Sequence, residues 1–161
     1  MAMNFSRSLI AGSLLSVALV PVEAPAAPTV FSCSPTKVIG VASVAAGSVV
    51  STSFVNIPEA GVNFTQGGAA ASCVIVRFSA ETLAGIGGAD ILFVRAFLDN
   101  TTAAQPPFAR YSAVENVYRA HTFEFVFPSV TPGAHTIRMQ YRSSSGSLVS
   151  VGLHTLVVHY K

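Results

Sequence analysis

Residues 119–142 read RAHTFEFVFPSVTPGAHTIRMQYR and give the clearest indication of the fold class. Apolar and polar side chains alternate over 121–127 and again over 135–141, which is the pattern of half-buried β-strands. Pro132 and Gly133 lie between the two segments and predict a tight turn. The stretch therefore predicts two strands joined as a hairpin, across which His121 and His135 would meet in some registers.

Two further segments are strong strand candidates, because both are rich in β-branched and aromatic residues: 71–80 (ASCVIVRFSA) and 90–99 (DILFVRAFLD). In the second segment one face holds Leu92, Val94, Ala96 and Leu98, and the other holds Ile91, Phe93, Arg95 and Phe97.

Shorter strands are expected within 38–57, 61–66 and 148–160, with a turn at 59–61 and a hairpin loop at 143–147. No segment after residue 27 has a helical pattern. The spacing of the turns predicts an all-β protein, an antiparallel, jelly-roll-like β-sandwich of about 8–10 strands. We expect one β-sandwich domain over residues 27–161.

The composition excludes several classes of protein. Of the 161 residues, 51% are hydrophobic and only 10% are charged, which excludes a disordered tail. The formal net charge of +2 is too small to imply a nucleic-acid partner. Trp is absent, although Phe reaches 11.

The first 26 residues have the pattern of a secretory signal peptide. Arg7 precedes an apolar run, Leu9–Val20, and Ala24–Ala26 has the small-residue pattern of a cleavage site. The run is shorter than the roughly 20 residues that a membrane helix needs. We therefore predict a secreted protein, extracellular or periplasmic, with no integral membrane segment after cleavage.

The two cysteines, Cys33 and Cys73, both follow the predicted signal peptide. An even number of cysteines in a secreted chain favours a disulfide. Neither a C-x-x-C spacing nor nearby histidines support a redox pair or a metal site. The sequence predicts a Cys33–Cys73 bridge, and two buried free thiols are the alternative.

Two arginines interrupt apolar strands at mid-length, Arg77 and Arg95. A desolvated guanidinium needs a partner. We expect buried ion pairs, with Glu124 or Asp99 as the carboxylate. The alternative is that these arginines contact a ligand carboxylate or phosphate.

Catalytic, metal and cofactor sites are not expected. There is no G-x-S-x-G motif, the few acidic residues lie mainly at strand ends, and the four histidines are not clustered. The glycines of 85–88 lack the Lys-Ser/Thr and the helix of a phosphate-binding loop. We predict that the protein is not an enzyme and has no cofactor.

Residues 121–160 (HTFEFVFPSVTPGAHTIRMQYRSSSGSLVSVGLHTLVVHY) combine a strand, a Pro-Gly turn, a second strand, a polar loop and a closing strand. Together with RFSAE (77–81) and VRAFLD (94–99), this order resembles bacterial and phage secreted jelly-roll domains of the tumour-necrosis-factor and C1q type. The resemblance implies a jelly-roll sandwich and a trimer, and it implies no catalytic residue.

The favoured function is a non-catalytic structural, self-assembling or binding role at the cell exterior. Few charges over a β domain leave apolar surface for a partner, and we expect a homo-oligomer in which Phe93, Phe97 or Phe123 packs on a neighbouring subunit. Another extracellular protein or a glycan is the other expected partner.

Three alternatives stay open. A monomeric carbohydrate- or peptide-binding module would present exposed Tyr and Arg, although the absence of Trp weakens a sugar platform. An outer-membrane barrel lacks the aromatic girdles expected of one. A small hydrolase ranks last, because no nucleophile and base are apparent.

Overall fold

The computed structural model describes residues 30, 32–85, 90–113 and 115–161. The described strands are β1 (Lys37–Ser43), β2 (Gly47–Val49), β3 (Val55–Gln66), β4 (Ser72–Ala84), β5 (Ile91–Leu98), β6 (Thr102–Ala103), β7 (Ala109–Ala113), β8 (Glu115–Val130), β9 (Gly133–Ser143) and β10 (Val149–Tyr160). The predicted signal peptide, residues 1–26, lies outside the described residues.

The strands form two antiparallel sheets. The first sheet has the order β1-β10-β4-β8, and β2 also pairs with β10. The second has the order β3-β9-β5-β6, and β7 also pairs with β5. Each sheet interleaves strands from the two halves of the chain, as a jelly roll does. The predicted jelly-roll sandwich is confirmed, whereas the closer likeness to tumour-necrosis-factor and C1q heads stays a prediction.

The two sheets pack through their inner faces. Strand β5 shows the predicted alternation, with Leu92, Val94 and Ala96 fully buried and the residues between them half-buried on the outer face. Strand β9 beside it and the strands of the facing sheet complete the core with large side chains that are almost wholly buried: Val74, Val76, Phe78, Phe125, Phe127, Ile137, Met139, Leu156 and Val158. Burial of this contiguous apolar surface is the main stabilising contribution to the sandwich.

The predicted hairpin of residues 119–142 is wrong. Strand β8 pairs with β4 in the first sheet, and β9 pairs with β3 and β5 in the second. The Pro132–Gly133 turn is present, with Gly133 at φ 134°, but it carries the chain from one sheet to the other. The hairpin loop predicted at 143–147 is wrong for the same reason, because it connects β9 of the second sheet to β10 of the first. The alternation correctly predicts the strands but carries no information about pairing partners.

The turn predicted at 59–61 is also wrong. Strand β3 continues through it, and its pairing with β9 shifts register between Asn56 and Gly61. Glu59 takes φ 53° at this irregularity, and Pro58 lies next to it. Because β3 is an edge strand, a proline that cannot donate to a ladder is tolerated in a bulge.

The N-terminal strands pair within the chain. Both β1 and β2 pair with β10 of the same chain. Cys33 and Cys73 form the predicted disulfide, with their Cα atoms 5.5 Å apart. The described residues from Ser32 onward form one compact unit. Within the described part of the chain, no helix is long and apolar enough to cross a membrane.

A buried carboxylate fixes the β9–β10 connection. Asp90 is fully buried just before β5. Its Oδ1 accepts hydrogen bonds from the backbone N–H groups of Ile91, Ser144 and Ser145 and from the Ser144 hydroxyl, at 2.5–3.1 Å. Its Oδ2 accepts a hydrogen bond of 2.5 Å from the Ser143 hydroxyl. Burial raises the pKa of Asp90, but these hydrogen bonds outweigh it and hold the pKa well below its ordinary value.

Candidate binding surface

The outer face of the β3–β9–β5–β7 sheet carries the most distinctive arrangement of side chains in the described structure. Its central strand pair places aromatic and basic residues opposite each other, Phe93 across from Arg142 and Phe97 across from Arg138. On the other side of β5, Arg110 also lies across from Phe93. Directly opposed residues of antiparallel strands share a face and touch. The strand register therefore gathers phenylalanine and arginine on one surface.

Four phenylalanines and two arginines form a continuous row, which we call the arginine–phenylalanine stack. The guanidinium carbon of Arg95 lies 4.2 Å from the ring centroid of Phe54 and 4.4 Å from that of Phe97. The guanidinium carbon of Arg142 lies 5.2 Å from Phe54 and 4.4 Å from Phe93. These distances are those of cation–π contacts, which fix both arginines against the rings.

At one end of the arginine–phenylalanine stack, two phenylalanine rings pack edge to face. Phe93 packs perpendicular to Phe108, with centroids 5.3 Å apart. Phe108 is 44% exposed, so this end of the stack is open to solvent.

The two stacked arginines use few of their hydrogen-bond donors. Arg95 donates from Nε to Oε1 of Gln140 at 2.8 Å, and Gln140 in turn donates to Oδ1 of Asn56 at 2.9 Å. Arg142 donates from Nη1 to the carbonyl oxygen of Ser143 at 3.2 Å. Among the described residues, the terminal nitrogens of Arg95 have no acceptor, and neither guanidinium has a carboxylate partner.

The charged side chains on the outer face of these strands are mainly basic. Arg95, Arg110, Arg138 and Arg142 all lie on it, four of the nine basic residues in the chain. Burial, and then the charge of Arg142, lower the pKa of Arg95. The two arginines therefore repel each other within the stack, in a place where an ion pair was expected.

A polar groove adjoins the stack along β3 and β9. A hollow of about 230 Å³ opens at the irregularity in β3 and is lined by Asn56, Glu59, Asn63, Thr136 and Arg138, among others. A second hollow of about 460 Å³ shares two of these residues and continues along the same strands. Together the hollows form an elongated depression beside the row of rings, which we call the polar groove.

A histidine–aspartate pair closes the far end of the polar groove. His135 Nδ1 lies 2.7 Å from Asp99 Oδ2, and its Nε2 lies 2.8 Å from the carbonyl oxygen of Thr131. Burial lowers the pKa of His135, but the contacts with Asp99 and Thr131 outweigh it, so the net shift is upward. For Asp99, burial raises the pKa, and the hydrogen bonds from His135 and Thr136 lower it further than burial raises it.

Arg77 differs from its expected environment. It lies on the outer face of the first sheet, opposite Glu124, and its Nη2 approaches Oε1 at 2.5 Å. The pair forms with the expected carboxylate, but the two side chains are 53% and 51% exposed rather than buried. The strand alternation explains the difference, because Val76 and Phe78 take the inward positions on either side of Arg77.

The three phenylalanines of the predicted interface do not share one face. Phe93 and Phe97 lie half-buried in the stack. Phe123 lies on β8 of the other sheet, opposite the inward-facing Phe78, and is 38% exposed at the sheet edge. No single partner surface of the predicted kind contains all three.

Sequence reasoning found Arg95, Phe93 and Phe97 but missed Phe54, Phe108 and Arg142. Phe54 precedes β3 and Phe108 precedes β7, in segments without a strong pattern of their own. The outward position of Arg142 in the 135–142 alternation was the available signal, but its ring contacts follow only from the register. Among the described residues, no group of three or more His, Cys, Asp and Glu side chains is placed to hold a metal ion.

No protein-family model and no curated protein sequence matches the chain. Among solved structures it is similar to the VP2 subviral particle of infectious bursal disease virus, with a TM-score of 0.49 and 10% identity over 77% of this chain and 32% of that one. The structure of the Gx strain of the same virus gives 0.47 and 14%, over 89% and 38%.

A third similar structure is a family GH115 4-O-methyl-alpha-glucuronidase with specificity for decorated arabinogalactans, with a TM-score of 0.45 and 12% identity over 88% of this chain and 20% of that one. The chain therefore spans less than two fifths of each of these proteins. Likeness this distant carries no argument about function.

Proposed function

We propose that this protein is a non-catalytic binding domain of the cell exterior, and that its arginine–phenylalanine stack binds an anionic ligand. The observation that carries the proposal is the pair of arginines on one ring, Arg95 and Arg142 on Phe54, without a counter-ion among the described residues. The disulfide supports an oxidising compartment, as the predicted signal peptide does.

The stack supplies what an anion site needs. Both guanidinium carbons lie within 5.2 Å of the Phe54 ring centroid, so the two charges are less than about 10 Å apart and repel by at least about 1.7 kcal/mol at an effective dielectric constant of about 20. An anion that contacts both guanidinium groups relieves this repulsion. The rings hold the guanidinium planes in place, so little side-chain entropy is lost on binding. The free terminal nitrogens of Arg95 are in the geometry that recognises a carboxylate, sulfate or phosphate through two hydrogen bonds.

Binding to anionic polymers tests this proposal. We would titrate the protein with polygalacturonate, dextran sulfate and neutral dextran by isothermal calorimetry. Arg95→Gln and Arg142→Gln should each weaken anion binding by about one to two orders of magnitude, because each removes a charge-assisted contact worth about 1.5–3 kcal/mol. Added salt should weaken it as well, since the contacts are partly exposed.

Arg77→Gln is the matched control, because it removes one positive charge from the other sheet. It should leave the affinity unchanged, and melting curves should show that all variants are folded. Absence of binding to both anionic polymers, or an equal loss in the control, would refute the proposal.

Self-assembly is a second candidate function, supported by a different surface. An apolar cleft on the outer face of the first sheet is lined by Val44, Ala120 and Leu153, with Tyr118 beside it. Three of these side chains are more than half exposed, which is typical of a surface that a partner covers. The basic stack is less suited to a contact between copies, because a two-fold contact there would bring like charges together.

The solution mass tests self-assembly. Light scattering over a concentration series should show a stable oligomer that Leu153→Asp dissociates, whereas Val50→Asp, at an equally exposed apolar site outside the cleft, leaves it intact. A monomer at every concentration contradicts self-assembly and leaves the anion-binding proposal untouched.

A further inference from the structure

We infer that the anionic ligand is an acidic polysaccharide, a sugar polymer that bears carboxylates, and that it extends from the arginine–phenylalanine stack into the polar groove. This inference rests on the proposed function. It follows from the hydrogen-bonding groups that the polar groove leaves free, taken together with the rings beside it.

The stack and the polar groove form one surface. Gln140 joins them, because it accepts from Arg95 of the stack and donates to Asn56 of the groove. Arg138 lines the groove and lies directly across from Phe97 of the stack. From Thr136 to Arg142 the surface follows seven residues of β9, a length of about 20 Å. A ligand that uses both parts is therefore a chain of several units.

The side-chain amides of the groove point their donors outward. The carbonyl oxygen of Asn56 already accepts from Gln140, and that of Asn63 accepts from the Thr136 hydroxyl at 2.7 Å. Their NH₂ groups have no acceptor among the described residues, and both side chains are exposed. With Arg138, they offer donors to neutral oxygens such as hydroxyl and ring oxygens.

Glu59 supplies a hydrogen-bond acceptor at the rim of the polar groove, whereas the amides supply donors. One of its carboxylate oxygens accepts from the Ser43 hydroxyl at 2.5 Å, which fixes the side chain. The other carboxylate oxygen has no donor among the described residues and is available to a hydroxyl group. Its backbone takes φ 53°, an uncommon conformation for a residue with a side chain and one that is often found at binding sites.

These groups together define the ligand class. Guanidinium groups require an anion, the exposed Phe108 ring accepts an apolar C–H face, amide NH₂ groups require acceptor oxygens, and Glu59 requires a hydroxyl donor. A polyphosphate meets only the first and third requirements, and it is repelled by Glu59. A neutral glycan leaves the arginines unpaired. A polysaccharide that carries carboxylates meets all four.

Titration of groove variants with three polymers tests the inference. We would measure binding of polygalacturonate, inorganic polyphosphate and neutral galactan to the wild type and to Asn63→Ala and Glu59→Gln. Polygalacturonate should bind most tightly and should lose threefold to tenfold in affinity in each variant. Polyphosphate should also lose affinity in Asn63→Ala, because its oxygens accept from the same amide, but it should bind more tightly to Glu59→Gln, because a negative charge is removed. The opposite responses of the two polymers to Glu59→Gln therefore distinguish them.

Asn116→Ala is the matched control, since Asn116 is an exposed asparagine on the other sheet. Glu59→Gln keeps an acceptor for Ser43, so the fold should persist, and a melting curve checks this. Equal binding of polygalacturonate and polyphosphate, with no effect of the groove variants, would overturn the inference while the anion-binding proposal stands. Galactan binding as tight as polygalacturonate binding would also overturn it. If none of the anionic polymers binds, the proposed function itself is refuted.

Discussion

Replacing the buried Asp90 by Asn should destabilise the sandwich strongly. The carboxylate accepts five hydrogen bonds from Ile91 and from the loop of Ser143, Ser144 and Ser145. A hydrogen bond to a charged acceptor contributes about 1 kcal/mol more than a neutral one, so five weakened bonds sum to about 5 kcal/mol. The neutral Asn side chain avoids the cost of burying a charge, which offsets part of the loss in hydrogen bonding. The expected decrease in the free energy of unfolding is therefore about 3 kcal/mol.

The Asp90→Asn substitution also places a hydrogen-bond donor where the carboxylate oxygen accepts a hydrogen bond. The Ser143 hydroxyl donates to Asp90 and accepts from the N–H of Gly146 at 2.6 Å. In the Asn variant the new NH₂ group faces this hydroxyl, whose own proton then lacks an acceptor. Buried donors without partners are costly, so the loop that leads into β10 should loosen.

The pH dependence of the stability difference distinguishes loss of the carboxylate charge from a general loss of core packing. The pKa of Asp90 is lowered in the folded state, so the unfolded chain binds the proton more readily. Its contribution is therefore fully present above the unfolded pKa of about 3.9 and is lost as the pH falls through the lower, folded pKa. The stability difference between wild type and Asp90→Asn should be largest near neutral pH and should shrink in acid.

Urea denaturation at pH 7 and pH 3, followed by far-UV circular dichroism, measures this difference. Ser145→Ala is the control, because the Ser145 side chain contacts Ser147 at 3.3 Å rather than Asp90. It should change stability by less than about 0.5 kcal/mol. A loss below about 1 kcal/mol in Asp90→Asn at neutral pH, or a loss that does not diminish in acid, would refute the role assigned to this carboxylate.

Three further predictions concern stability. Replacing Cys33 and Cys73 by Ser should cost about 4 kcal/mol by the chain-entropy relation, for a bridge of sequence separation 40; urea unfolding should match that of the reduced wild type, and an unchanged midpoint would contradict the prediction. Phe78→Ala, at a fully buried site, should cost about 3–5 kcal/mol in the same assay; a loss below about 1 kcal/mol would show that the core tolerates the cavity. His135→Ala should be more destabilising at pH 5.5 than at pH 8.5, because the raised pKa of His135 gives a contribution that is present below about 6.5 and lost as the pH rises through the folded pKa; a melting-temperature difference that is independent of pH would exclude the ion pair with Asp99 as its cause.

The strands were predictable because each is a local pattern. Strand β5 shows this best, since its buried and outer residues alternate as the apolar pattern requires. The pairing of β8 and β9 was not predictable in the same way. A Pro-Gly turn suits a hairpin and a crossing between sheets equally, and only the packing of the whole core selects between them.

The candidate site was also predictable only in part: some of its residues were predictable from the sequence, but their contacts were not. An outward Arg95 between two phenylalanines is visible in the sequence, but its expected partner was a carboxylate. The actual partners include Phe54, which lies beyond an intervening strand and far away in the sequence. Contacts of this kind follow from register and sheet order, which no local pattern contains.

Strand β10 occupies a central position in the first sheet, and this has a consequence for the order of folding. Strand β10 joins β1 and β2 on one side to β4 on the other, and the contact between Ser48 and Ser150 spans 102 positions. A chain synthesised from its N-terminus cannot complete this sheet until residues 149–160 have emerged. Completion of the first sheet is therefore postponed until β10 has been synthesised, and the long-range contacts of β10 make folding slow. A chain truncated before β10 would expose the edges of three strands at once and would aggregate.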